Sequence, residues 1–324
     1  MTSNDGSGVL FFTDLPGHRP RITIRRVSVS GFGMPTTSAS YGNGIFIFGW
    51  RADTHAASYD GVEVEDCEAF GNRRNGMITW SYTSKAIRNV QVRRSIFRDN
   101  PGIASFNQPS GSGVVLGEVQ NGLIEYCLAY NNGAANSNAG GPIGIWTYNS
   151  DNVFMQNNIS HSNKSNGGDG GGFDIDGGAT NCVLQFNYSD NNDGAGYLLA
   201  QYSGAPDFGN NVIRYNISQN DARRRYGAIS LWAASLGNRV RNPVIHNNVV
   251  YITPRSSGNS GAVFMNGTNM HNIRVHNNLF ILAGTGTVRA VLGGAVTTDC
   301  VAFRGNAYQR VGGTPAFAHD SAVY

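Results

Sequence analysis

The chain has 324 residues, of which 43 are Gly and 37 are Asn, and only 14% are charged. Hydrophobic residues make up 40%, and the chain has no run of 18 apolar residues; this composition excludes a largely disordered chain and a membrane-spanning helix. The net charge is +3 without a dense basic tract, so nucleic-acid binding is unsupported. The composition predicts a folded protein that many turns interrupt.

One pattern recurs along the chain: two alternating apolar residues, then a small or amide residue three places after the second. The array starts at ITIRRVSV, with Val27 in register. Successive repeats lie 28 to 32 residues apart, and such a period indicates stacked structural repeats. The repeats end at Cys67, Ser95, Cys127, Asn158, Asn187, Asn216, Asn248, Asn278 and Asn306.

A second strand follows in each repeat and begins after a glycine. Apolar residues alternate with period two, and no helical period is sustained. Short strands in repeats of roughly 30 residues predict an all-β, single-domain parallel β-helix (solenoid) of about ten coils over residues 1–324. We expect a cap or lead-in at residues 1–20 and a C-terminal tail at residues 313–324. The opening glycines are Gly76, Gly113, Gly144, Gly172, Gly196, Gly227 and Gly261.

The Asn column predicts side-chain amides that stack from coil to coil at about 4.8 Å. Cys67 and Cys127 share this column two coils apart, about 10 Å, which is too far for a disulfide. Cys182 and Cys300 are four coils apart, so we expect all four cysteines to be free and packed. No CxxC or Cys/His spacing indicates a zinc site.

The 30-residue repeat, the Asn column and the glycine-opened strand resemble the right-handed parallel β-helix proteins of the pectate-lyase-like superfamily, over about residues 20–312. GGDGGGFDIDGG followed by NDGAGYLLAQY is similar to a motif of bacterial β-helix repeat proteins. Members of the superfamily are mostly polysaccharide lyases, glycoside hydrolases, epimerases and phage tailspikes. The resemblance therefore implies a polysaccharide partner and a site on the outward face of the glycine-opened strands.

Residues two and four places after each opening glycine are predicted to point outward. Asp174 and Asp176 are the only acidic residues in these columns, with Cα atoms about 6.6–7 Å apart. Their mutual repulsion raises one pKa, which separates a proton donor from a base. The spacing permits an inverting glycosidase pair, although side-chain rotation leaves this open. The two columns are Ile78, Val115, Trp146, Asp174, Leu198, Ile229, Val263 and Trp80, Gly117, Tyr148, Asp176, Ala200, Leu231, Met265.

The loops that lead into this strand face add polar groups around the pair. We expect Asp169 or Asp193 to assist catalysis, and the aromatic residues Trp146, Tyr148 and Trp80 to stack on sugar rings. The alternative role for Asp169, Asp174, Asp176 and Asp193 is a Ca²⁺ site, and no other cofactor is expected. The loop cations are candidate substrate ligands, or else solvated turn residues: Lys164, Arg223, Arg224 and Arg225.

These residues leave three hypotheses for the function. The first is a glycoside hydrolase that cleaves a polysaccharide with paired Asp; the second is a Ca²⁺-assisted lyase of a uronate-containing polymer. The third is a non-catalytic glycan-binding or tailspike-like solenoid. We expect an extracellular or periplasmic location, although the N-terminal MTSNDGSGVLFF lacks the pattern of a signal peptide, so any signal would already have been removed.

Overall fold

The computed structural model describes residues 6–33, 41–51, 56–104, 106–234, 239–267, 269–293 and 300–312. Within these ranges the strands all pair in parallel and no α-helix occurs, which confirms the predicted all-β solenoid. The predicted tail at 313–324 lies outside the described residues. Strands at Val9–Thr13 and Gly17–Arg19 lie inside the predicted lead-in and already pair with the next coil.

Each coil contributes one strand to each of three long sheets, in the order first, second, third along the chain. Among the described residues the first sheet has ten strands, in approximate agreement with the predicted count of about ten coils. Its strands are Val9–Thr13, Asn43–Gly49, Asn75–Ser81, Ser112–Gly117, Ile143–Tyr148, Gly171–Asp176, Tyr197–Gln201, Ile229–Ala233, Ser260–Asn266 and Val288–Gly293.

The second sheet contains the recurring strand by which the repeat was recognised. Its strands are Gly17–Arg19, Ile22–Arg25, Ala57–Glu65, Ile87–Arg93, Val119–Glu125, Asp151–Gln156, Val183–Gln185, Val212–Arg214, Val244–His246, Ile273–His276 and Val301–Arg304. A short side sheet precedes three of them, with strands Phe208–Gly209, Val240–Arg241 and Met270–His271.

The third sheet closes each coil and returns the chain to the first sheet. Its strands are Ser28–Ser30, Glu68–Phe70, Ile96–Arg98, Leu128–Tyr130, Ile159–His161, Tyr188–Asp190, Ile217–Gln219, Val249–Ile252, Leu279–Ala283 and Ala307–Val311. Inward side chains of the three sheets form one continuous core along the axis, in which Ile124, Phe173 and Leu184 are fully buried.

The predicted Asn ladder is present at the turn between the second and third sheets. The side-chain oxygen of Asn187 accepts hydrogen bonds from the backbone N–H of Asn158 at 3.0 Å and from its side-chain amide at 3.1 Å. Asn187 in turn donates to Asn216 in the next coil and to the carbonyl of Met155. The ladder satisfies buried turn groups that water cannot reach. All four cysteines are buried and none forms a disulfide, as expected.

A second amide ladder, absent from our sequence prediction, lies at the turn from the third sheet to the first. Its members are fully buried and ordered by the same coil-to-coil hydrogen bonds. A Cβ on Gly172 would lie 3.0 Å from the Asn192 amide and 2.3 Å from the Ser189 hydroxyl. The glycine that opens the strand is therefore required by this ladder. The ladder consists of Asn72, Asn100, Asn132, Asn163, Asn192 and Asp221.

The outward columns follow the prediction through the Gly196 coil and then slip by one residue. Leu198 pairs with Ser230, and Ala228 takes the place that Gly196 holds one coil earlier. The prediction was wrong here because it used Gly227 and Gly261 as markers. The amide ladder ends at Asp221, which leaves room for the Ala228 methyl group. The residues wrongly predicted to face outward lie in the core: Ile229, Leu231, Val263 and Met265.

We predict that Asn187→Ala lowers the free energy of unfolding by about 2–4 kcal/mol, because it leaves buried donors and an acceptor without partners. Asn166→Ala is the matched control, since this exposed amide makes a single hydrogen bond to the carbonyl of Ala134 at 2.9 Å. Its cost should stay below about 1 kcal/mol in the same chemical unfolding experiment. Equal losses in the two variants would contradict a stabilising role for the ladder.

Candidate active site

A long cleft of about 940 Å³ runs along the outward face of the first sheet. Its floor extends over coils from the strand Asn43–Gly49 to the strand Ile229–Ala233. The loops around Gln108 and Asn138 contribute one wall. The described residues of the cleft include three carboxyl groups, those of Asp169, Asp174 and Asp176, among side chains that are otherwise mainly apolar or aromatic.

Asp174 lies on the floor of the cleft, as predicted, between the inward residues Phe173 and Ile175. Its side chain is 2% exposed, and its Oδ1 atom has no hydrogen-bond partner. Burial raises the pKa of Asp174 well above its ordinary value, and the charges of Asp176 and Asp169 raise it further. Asp174 is therefore harder to deprotonate than an ordinary carboxyl group.

Asp176 follows two residues later in the same strand and is more accessible than Asp174. Its Oδ1 atom accepts a hydrogen bond of 2.6 Å from the backbone N–H of Gly177. Burial raises the pKa of Asp176 to about 7, and this backbone hydrogen bond opposes the rise. Both pKa values are therefore raised, but the environments differ: Asp174 is more deeply buried, and Asp176 accepts a backbone hydrogen bond.

Asp169 reaches the cleft from the loop before the strand, so the structure brings it together with the Asp pair. Its Oδ2 atom accepts a hydrogen bond from the backbone N–H of Gly141 at 2.8 Å. Burial raises its pKa, while the hydrogen bonds from Gly141 and the Tyr226 side chain lower it. Asp169 thus joins the loops of two successive coils and adds negative charge beside Asp174.

Asp193 does not line the cleft. It is buried in the loop before Gly194, where its Oδ2 atom accepts a hydrogen bond from the backbone N–H of Ser165 at 3.1 Å. Lys164 and Arg224 each place a nitrogen 3.6 Å from its carboxylate. These contacts tie together neighbouring loops, and they separate Asp193 from the pair with which we predicted it to act.

The loop cations contact the loops of neighbouring coils and do not line the cleft. Arg223 donates to the carbonyl of Thr253 at 2.9 Å, and Arg224 donates to the carbonyl of Ser165 at 2.7 Å. Arg225 reaches the carbonyl of Asp169 at 3.3 Å. The structure therefore does not bring Lys164 and the three arginines to the Asp pair, and their predicted contact with substrate has no support from this geometry.

The three predicted aromatic residues all line the cleft. Trp146 pairs with Asp174 in the next coil, and its indole N–H donates to the Ser112 hydroxyl at 3.0 Å. Tyr148 pairs with Asp176 in the same way, and its ring lies over Gly117, where an added Cβ would be 2.4 Å away. The Tyr148 ring thus fills the space above Gly117, and the aromatic column extends from Tyr148 toward Trp80.

Several cleft residues were not predicted from the sequence. The main one is Arg74, which donates to Gln108 at 3.1 Å and whose Nε atom is buried without a partner. Burial lowers the pKa of Arg74 to about 10. Arg74 precedes its strand, so the outward columns could not identify it. Trp232 was missed because of the register slip, whereas Tyr202 and Tyr226 lie in loops.

The Ca²⁺ site expected as the alternative for Asp169, Asp174, Asp176 and Asp193 stays a prediction. Among the described residues, no group of three or more His, Cys, Asp or Glu side chains is arranged to hold a metal ion. Nor does this part of the chain contain a helix with the length and apolarity that crossing a membrane requires.

Comparison with known proteins establishes the family. The family model of the right-handed β-helix region matches residues 21–213. The chain belongs to the right-handed β-helix family. This confirms the handedness that the sequence resemblance implied. No curated protein sequence matches the chain.

Solved structures with this fold show low sequence identity to the chain. A lacto-N-biosidase from Eubacterium ramulus is 16% identical, with a TM-score of 0.57, over 94% of this chain and 45% of its own. A tailspike protein mutant of E. coli bacteriophage HK620, solved with a pentasaccharide, is 15% identical, with a TM-score of 0.55, over 97% and 57%. A mannuronan C-5 epimerase module from Azotobacter vinelandii is 16% identical, with a TM-score of 0.51, over 92% and 90%. The chain thus spans less than half the length of the biosidase, and these similarities show the fold.

We predict that Asp176→Asn stabilises the protein at pH 8 and has little effect at pH 4. Because the pKa of Asp176 is raised in the folded protein, the unfolded protein releases this proton at a lower pH. The wild type therefore loses stability as pH rises from about 4 to about 7. An amide does not ionise, and we expect a gain on the order of 1 kcal/mol at pH 8.

The matched control is Asp207→Asn, because the Asp207 side chain is 84% exposed and pairs with Arg241 on the surface. Urea unfolding at pH 4 and pH 8 measures both variants. A gain for Asp176→Asn that is the same at both pH values would show that ionisation of Asp176 is not the cause.

Proposed function

We propose that this protein is a glycoside hydrolase that cleaves a polysaccharide in the cleft of the first sheet. The observation that carries the proposal is the pair Asp174 and Asp176 on the cleft floor, one with a free buried oxygen and a strongly raised pKa, the other with a pKa of about 7. Such a difference between neighbouring carboxyl groups is what acid–base cleavage of a glycosidic bond requires.

Asp174 is the general acid in this proposal. Burial raises its pKa well above the ordinary value, and its Oδ1 atom is buried at the cleft floor without a hydrogen-bond partner. It transfers its proton to the leaving oxygen as the carbon–oxygen bond breaks. The positive charge that develops on the sugar is stabilised by the negative charge that Asp174 then acquires.

Asp176 is the general base, because it loses its proton near pH 7. As a carboxylate it accepts a proton from a water molecule, whose oxygen forms the new bond to the sugar carbon. The two Cα atoms are about 6.6–7 Å apart along the strand. An inverting pair needs its carboxyl groups about 6.5–9.5 Å apart to leave room for this water, and the side-chain rotamers set that separation. Asp169 would keep the pKa of Asp174 high by its charge.

The fold neighbours support a carbohydrate substrate by analogy. The names of the biosidase, the tailspike solved with a pentasaccharide and the epimerase all refer to glycans. Their low identity transfers no residue role to this chain, so the proposal depends on the cleft itself. The lyase and the non-catalytic solenoid become outcomes of the following experiment.

We predict that Asp174→Asn and Asp176→Asn each reduce kcat by at least about 100-fold, since each removes one proton-transfer partner. Polysaccharides of varied linkage are incubated with wild type and variants, and new reducing ends are measured beside the ultraviolet absorbance of unsaturated uronates. The wild type should release reducing ends without that absorbance. Asp207→Asn, on the exposed surface, should keep wild-type activity.

The other outcomes identify the competing functions. Absorbance of unsaturated products that a chelator abolishes would indicate a Ca²⁺-dependent lyase. Polymer binding without turnover in every form of the protein would indicate a glycan-binding solenoid. Turnover that survives both Asp substitutions would place the reaction elsewhere in the chain.

A further inference from the structure

Five aromatic side chains form a continuous surface on the outward face of the first three coils. We call Phe12, Phe48, Trp50, Trp80 and Tyr82 the aromatic surface. Ring centroids lie 5.3 Å apart for Phe12 and Phe48, 5.0 Å for Phe48 and Trp80, and 5.3 Å for Trp50 and Tyr82. The rings therefore contact one another across neighbouring coils and act as a single patch.

This patch is unusually open for large aromatic side chains. Phe12, Trp50 and Tyr82 are 48%, 49% and 51% exposed. Aromatic residues of this size are normally mostly buried, and a contiguous exposed group of them marks a binding surface.

The aromatic surface is continuous with the candidate active site. Phe48, Trp50 and Trp80 line the cleft itself. Phe12, Phe48 and Trp80 stack in one column, and that column leads over Gly117 and Tyr148 to Asp176. With about 4.8 Å between coils, Trp80 lies roughly 14 Å from Asp176 along the axis and Phe12 about 24 Å. An extended glycan advances by a similar length for each sugar, so successive rings can meet successive sugars.

The chemistry of the surface favours an uncharged ligand. The face of an aromatic ring is negative, so it attracts the C–H face of a sugar and disfavours a carboxylate. None of the four loop cations lines the cleft, although Arg225 donates to the backbone carbonyl of Asp169. Arg74 is the one cation among the described cleft residues, and it is bound to Gln108 on the wall.

We propose that the aromatic surface binds a neutral stretch of the polysaccharide and extends the cleft by several sugars toward the N-terminal coils. This inference deepens the proposed function, on which it depends for the identity of the ligand as a glycan. It implies that the protein prefers neutral polymers to uronate-rich ones and long chains to short oligosaccharides.

The test measures binding without turnover, in the Asp176→Asn background. Affinity electrophoresis compares dextran, amylose, β-glucan, xylan, galactan and galactomannan, each beside its carboxymethyl derivative. At least one neutral polymer should retard the protein, and its carboxymethyl derivative should retard it less. Trp50→Ala and Tyr82→Ala should each weaken that binding about two- to tenfold, because each removes one stacking contact.

Phe186→Ala is the matched control, since Phe186 is 53% exposed and stacks on Tyr215 at 5.3 Å, away from the cleft. It should bind like its parent. Retardation by no polymer, stronger retardation by the carboxymethyl forms, or unchanged binding of Trp50→Ala and Tyr82→Ala would each overturn the proposal. Turnover is assayed separately, so that this failure can be distinguished from failure of the hydrolase proposal. If the wild type cleaves a polymer and a Trp50→Ala variant with an intact Asp176 cleaves it equally fast, only the proposal about the aromatic surface is rejected.

Discussion

Hydrogen bonding from coil to coil is the constraint on which the rest of the structure depends. Backbone pairs join the strands, and two buried amide ladders join the turns, through residues such as Asn187 and Asn192. Because side chains alternate between faces, a slip of one residue would move every inward side chain outward. The ladders hold that register. They thereby keep Phe173 and Ile175 in the core and Asp174 and Asp176 in the cleft.

The same constraint explains which features the sequence could predict. The period, the Asn column and the outward Asp pair recur at fixed spacing, so they were recognisable without coordinates. The second ladder follows the same spacing from Asn72 to Asn192 and could have been found by the same comparison. The slip after Gly196 could not be seen from glycines alone, because Ala228 replaces glycine where the ladder no longer crowds the strand.

The loop residues were harder to predict, for a physical reason. A loop side chain binds whichever backbone group the neighbouring coil presents, and this depends on loop conformation that has no repeat. Arg223 and Arg224 therefore bind loop carbonyls, and Asp193 binds Lys164, although all were expected near the substrate. Arg74 lines the cleft and was not predicted from the sequence, for the same reason. The paired carboxyl groups of the site thus lie on a regular strand, whereas irregular loops form the walls of the cleft.

Burying two carboxyl groups side by side costs stability. Carbon-13 NMR titration of the Asp174 and Asp176 carboxyl groups tests the account most directly, because it follows each proton separately. We predict that Asp176 titrates near pH 7 and that the pKa of Asp174 lies well above its ordinary value. Titration of both groups near the ordinary range of about pH 4 would contradict the account, since neither could then donate a proton at neutral pH.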